Sequence, residues 1–116
     1  MDFGPYLRER RETLKKQDKR FSIRQVARRI GVEPAYLSKI ERGDMPPPSE
    51  ATTRKIAEDL GEDQDILLAL AGKVSSDLLS IIRKRPRLFS DLIRQLKDQP
   101  EAAILKVVRE VRDGDW

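Results

Sequence analysis

In the stretch IGVEPAYLSKIERG, residues 30–43, four chemically able side chains crowd one short segment: Tyr36, Ser38, Lys39 and Arg42. Leu37 and Ile40 between them are apolar, so one side of the segment faces a core and the other is free to carry polar groups. An ammonium group such as that of Lys39 donates to guanine O6 or N7, and an aromatic ring packs on a thymine methyl or a sugar. Cationic side chains and hydroxyls bind phosphate oxygens. These are groups for holding a polyanion rather than for breaking bonds.

Catalysis finds little support elsewhere. The chain contains no histidine and no cysteine. That removes imidazole and thiolate mechanisms, disulfides and zinc sites of the Cys/His type. Asp and Glu are plentiful but scattered over polar helix faces, with no paired constellation. We therefore expect no enzyme activity, no catalytic residue, no metal ligand and no cofactor.

Charge is unevenly placed. Residues 1–43 hold 12 Lys/Arg against 6 Asp/Glu, whereas residues 44–116 hold 12 against 14. A basic front half points to a polyanionic partner there. Charged and apolar residues each make up 38% of the 116-residue chain and aromatics 5%. This is the composition of a folded, charge-covered helical protein with an aliphatic core. No apolar run suits a signal peptide or a membrane span, so the cytoplasm is the expected compartment and no membrane partner is expected.

The positioning elements follow from helical periodicity, since no stretch alternates as a strand does. The first helix is expected over Pro5 to about Lys16, with Tyr6, Leu7 and Leu14 on its buried side. Gln17 to Arg20 reads as a loop or frayed end. Ser22 caps a second helix, Ile23 to Ile30, whose inner stripe is Ile23, Val26, Ala27 and Ile30. Gly31 ends it, where a left-handed backbone needs no Cβ. Pro34 opens a third helix reaching Glu41, and Gly43 stops it. Asp44 to Pro48 cannot be helical. Ser49 caps a fourth helix over Glu50 to Leu60, with Thr53, Ile56, Ala57 and Leu60 inward. Asp63 opens a fifth with Ile66, Leu67 and Leu70 inward.

Two short helices joined at a glycine, each with a buried stripe, make a helix-turn-helix. Ala27 sits at the close approach, and Val26, Ile30, Val32, Leu37 and Ile40 fix the crossing. SIRQVARRIGVEPAYLSKIERG, a proline-bearing loop and TTRKIAEDLGEDQDILL together resemble the phage-repressor-like, Xre or Cro/C1-type, helix-turn-helix family. The resemblance covers about residues 4–70. It implies a five-helix domain that places its third helix, residues 34–41, in the major groove of double-stranded DNA, usually as a two-fold dimer.

On that template Glu33, Pro34, Ala35, Tyr36 and Lys39 lie at or near base edges. Ser22, Arg24, Ser38 and Arg42 lie near phosphates, and Glu41 pairs with Arg11, or with another arginine of the first helix, to hold the first helix on the third. Two departures stand out. Ile23 occupies a place where many members carry a phosphate-binding glutamine. Glu33 stands where Ser or Thr is usual; near DNA its carboxylate is repelled by phosphate unless it accepts from a cytosine amine.

A boundary is expected at Ala71-Gly72-Lys73, dividing a DNA-binding domain, residues 1–72, from a helical segment, residues 73–116. Three helices are expected in the latter: Ser76 to Lys84, Arg87 to Lys97, and Pro100 to Arg112. The cluster Arg83-Lys84-Arg85-Pro86-Arg87 reads best as a solvated helix end favoured by the dipole. The apolar content exceeds what 44 residues bury alone. Leu92, Leu96, Ile104, Val107, Val108, Val111 and Trp116 are therefore expected at a dimer or partner interface, the alternatives being packing on the fifth helix and, for Trp116, an exposed chain end. The expected function is DNA-binding transcription regulation, most often repression, by a homodimer on a partly palindromic operator. The rival is an antitoxin-like regulator whose C-terminal helices bind a second protein.

Overall fold

The computed structural model describes residues 2–116. They form an all-α structure, with no strand among them. The first helix, α1, is Phe3–Lys15 and starts two residues before the expected Pro5. Proline is tolerated there because the first turn's N–H groups have no intrahelical acceptor. Phe3 is buried and anchors that turn. Gly4 lets it close on the rest of the domain: a Cβ at Gly4 would collide with the carbonyl oxygens of Ile40 and Glu41.

The stretch expected as loop is partly ordered into a 3-10 turn, Lys19–Phe21. The Asp18 carboxylate caps it, accepting from the Arg20 backbone N–H at 2.9 Å. Hydrogen bonds from the Arg20 side chain and backbone pull the Asp18 carboxyl down to about 2.

Helix α2, Ile23–Ile30, has the expected bounds; Ser22 accepts from the Gln25 N–H, and Gly31 closes it at φ 79°. Helix α3 is Pro34–Arg42, one residue longer than expected, because the left-handed residue that stops it is Gly43 at φ 80°. Helix α4 is Glu50–Leu60 and α5 is Gln64–Leu70. Ile66, expected inside, is 54% exposed, while Leu67 and Leu68 are buried. The run Ile66-Leu67-Leu68-Ala69-Leu70 is apolar throughout, so periodicity alone did not fix its inner face. Around Ala27 and Ala57, the core gathers Leu7, Val26, Leu37, Ile40, Ile56 and Leu60. α1 packs on α3, and α2 packs on both α3 and α4.

The chain divides into two compact units, the first ending at Ser76 and the second being Asp77–Trp116. In the first, the Lys73 ammonium donates to the Pro48 carbonyl at 2.7 Å, and the Ser76 N–H donates to Glu50 at 2.8 Å. That backbone bond, with help from Arg54, lowers the Glu50 carboxyl below its ordinary value. A carboxyl lowered on folding stabilises the fold above its unfolded pKa and loses that contribution as pH falls through the folded one. The Ser76 amide resonance should therefore titrate with a midpoint below the ordinary glutamate value of about 4.3. Glu50→Gln should abolish the transition; a midpoint at or above that value would contradict the tie.

The second unit comprises the rest of α6, Ser76–Lys84, then α7, Pro86–Leu96, and α8, Glu101–Asp113. The last two are each displaced by one residue from expectation: Pro86 lies inside the first turn of α7, and Pro100 is the N-cap of α8. None of the three helices contains a buried residue. No helix among the described residues is long and apolar enough to cross a membrane.

Candidate nucleic-acid interface

The surface of interest is built from its supports outward. Ala27 is fully buried where α2 meets α3, and Leu37 and Ile40 seat α3 beneath. Gly31 turns the chain between them, its N–H bonded to the Ala27 carbonyl at 2.9 Å. With Leu37, Ile40 and Glu41 inward, α3 turns Ala35, Lys39 and Arg42 to solvent, and Glu33 is exposed just before it.

One ion pair holds this helix to the rest. The Arg11 Nε donates to Glu41 Oε2 at 2.7 Å and a terminal nitrogen to Oε1 at 3.0 Å, with both side chains only 3% exposed. The other terminal nitrogen reaches the Phe21 carbonyl at 3.1 Å, and Glu12 accepts at 3.0 Å. Burial disfavours the Arg11 cation, but the bonds and charge of Glu41 outweigh it and raise its pKa. α1, the 3-10 turn and α3 are thereby locked at one point.

Two further clamps work nearby. The Tyr6 hydroxyl donates to Glu62 at 3.0 Å, which raises the Tyr6 pKa, and Arg10 pairs with the same carboxylate at 3.0 Å. Arg29 pairs with Asp59 at 2.6 Å and lies 5.1 Å from the Phe21 ring centroid, within cation–π range. Several front-half arginines are thus structural. The basic balance of the sequence overstates the charge free for a ligand.

The groups singled out in sequence are differently disposed. Arg24, Glu33, Ala35, Lys39 and Arg42 are exposed; Ser22, Pro34, Tyr36 and Ser38 are half-buried. Tyr36 packs partly against the core. The Ser22 hydroxyl is occupied as a helix cap, accepting from Gln25 at 3.3 Å. Glu33 makes no cap bond with its side chain. Arg42 donates to Ser38 Oγ at 2.8 Å and to Asp44 at 3.0 Å. The Arg42–Asp44 pair is more than half exposed on both sides, a surface pair worth about 0–1 kcal/mol. A phosphate can displace Asp44 at little cost.

Arg8 carries no spacing signal of its own, yet it lines a cleft together with Ser38 and Arg42. Its place on the α1 face one turn before Arg11 was the only clue available in the sequence.

In the second unit, Leu92, Ile104, Val108 and Val111 are exposed and Leu96 and Val107 are half-buried. Trp116 is 90% exposed, its indole N–H donating to the Val111 carbonyl at 3.0 Å.

A family model described as a helix-turn-helix domain matches residues 2–70, which takes in every element from α1 to α5. No curated protein matches the chain. No solved structure matches it either.

Proposed function

The chain belongs to the helix-turn-helix domain family, and on that premise we propose that it is a transcription regulator of the Xre or Cro/C1 type, a repressor that reads a partly palindromic operator as a homodimer. The observation that carries this reading is the two-sidedness of α3. Its inner side is tied down by Leu37, Ile40 and the buried Glu41, and its outer side offers Lys39 and Arg42 to solvent. The N-terminal residues of such a helix reach base edges while flanking cations neutralise phosphates. Glu33, Pro34, Ala35, Tyr36 and Lys39 face the bases; Ser22, Arg24, Ser38 and Arg42 face the backbone.

The homodimer places Leu92, Leu96, Ile104, Val107, Val108, Val111 and Trp116 at its interface. Short helices with no buried residue are poorly stable alone in water, and a two-fold operator needs a two-fold reader. Light scattering should give twice the chain mass of 13.4 kDa at micromolar concentration. Leu92→Asp combined with Val108→Asp should give the monomer and weaken operator binding. A wild-type monomer would instead favour the second reading, a regulator whose C-terminal helices bind another protein. The same exposed apolar residues support that alternative.

A further inference from the structure

A cleft of about 220 Å³ opens beside α1 and the end of α3, with Arg8, Ser38 and Arg42 on its sides and Ile23 among its lining. Two carboxylates also border it, and both are already answered. Glu41 is held by two nitrogens of Arg11, and Glu12 accepts from the same guanidinium at 3.0 Å. The Ser38 oxygen accepts from Arg42 at 2.8 Å, which leaves its own O–H to donate outward. Arg8 is exposed, and the nearest acid one turn along, Glu12, is engaged by Arg11. Arg8 itself forms no ion pair among the described residues.

Two guanidinium groups and a hydroxyl around one opening are the donor set of an oxyanion site. We propose that Arg8, together with Ser38 and Arg42, seats one backbone phosphate of double-stranded DNA in this cleft. The inference rests on the DNA-binding reading and adds a contact from α1 to those from α2 and α3. Arg8 lies one turn before Arg11, so the buried clamp that fixes α1 against α3 also fixes the base of the Arg8 side chain. A free phosphate presents the same oxygens. Held by exposed cations alone, however, it lacks the neighbouring contacts that raise its effective concentration when it is part of a duplex.

The test is a salt titration of duplex binding for the full chain, its Arg8→Ala and Arg8→Lys variants, and Lys55→Ala as a control that removes one exposed cation from α4. Each phosphate contact contributes about 0.9 to the log–log salt slope. Arg8→Ala should therefore lower the slope by about that amount and weaken binding alike on selected and scrambled duplexes. Its deficit should shrink about threefold between 50 and 200 mM salt. Arg8→Lys should restore the slope, and Lys55→Ala should leave it unchanged.

An unchanged slope in Arg8→Ala, with a steep slope in wild type, overturns the seat while leaving the DNA-binding reading intact. No salt-dependent binding by wild type overturns both. Inorganic phosphate alone, titrated by NMR, should perturb Ser38 only weakly and without saturation. Saturation at micromolar phosphate would make this a small-anion site and overturn the assignment to DNA.

Discussion

Glu41→Ala should cost the domain about 3 kcal/mol, the low end of the penalty for breaking a buried ion pair, because Arg11 keeps its bond to the half-exposed Glu12. Arg11 would remain 3% exposed with both of its bonds to Glu41 gone. Whole domains are stable by only about 5–15 kcal/mol, so this single change uses a large share of the margin. At roughly 4–8 °C per kcal/mol for a domain of this size, Tm should fall by at least about 12 °C. The informative companion is Arg11→Met with Glu41→Leu. Replacing both ions by apolar groups of similar volume is often neutral or stabilising, so the double variant should recover most of the loss. Equal losses for the single and double variants would show that packing, not the stranded charge, sets the cost. The same clamp fixes the angle at which α3 is presented, so the single variant should lose DNA affinity before it loses all helicity.

Lys39→Ala should weaken binding to a selected operator by about 1–3 kcal/mol, the worth of a good base contact, and relax the preference at one base position. Lys39 is exposed, so its removal should change stability by no more than about 0.5 kcal/mol. Unchanged thermal melting therefore separates a binding defect from a folding one. Arg42→Ala should behave differently. Its expected partner is phosphate, so affinity should fall alike on all sequences and the salt slope should drop by roughly one. Equal loss on selected and scrambled duplexes for Lys39→Ala would move Lys39 from the bases to the backbone.

Much of the scaffold was legible because local chemistry and global packing agree at the helix ends. Ser22, Ser49 and Asp63 each accept from backbone N–H groups of the helix they begin. Gly31, Gly43 and Gly61 each adopt the positive φ that makes glycine the usual stop. The bounds of α2 and α4 are consequently those their caps imply.

What escaped depends on contacts between distant residues. Nothing next to Gly4 in sequence says that the carbonyls of Ile40 and Glu41 will lie against it. Ser75 is buried as well, although composition assigns serine to the surface; Thr53, expected inward, is fully buried with its hydroxyl directed to the Pro48 carbonyl at 3.4 Å. Of the candidate site, the sequence showed that α3 would turn Lys39 and Arg42 to solvent. Residue types marked α3 as the presenting helix, but they did not reveal that Arg42 would be tethered to Ser38 and Asp44. Nor did they reveal that α1 would bring Arg8 beside them.

The outer side of α3 is expected to read sequence on duplex DNA. Repeated selection from a random duplex library, followed by salt titration of the winner and a scrambled control, tests it most directly. A two-fold symmetric winner is expected, with a clear specificity ratio over the control and a steep salt slope. Weak binding to every duplex, with no sequence enriched, would contradict that expectation.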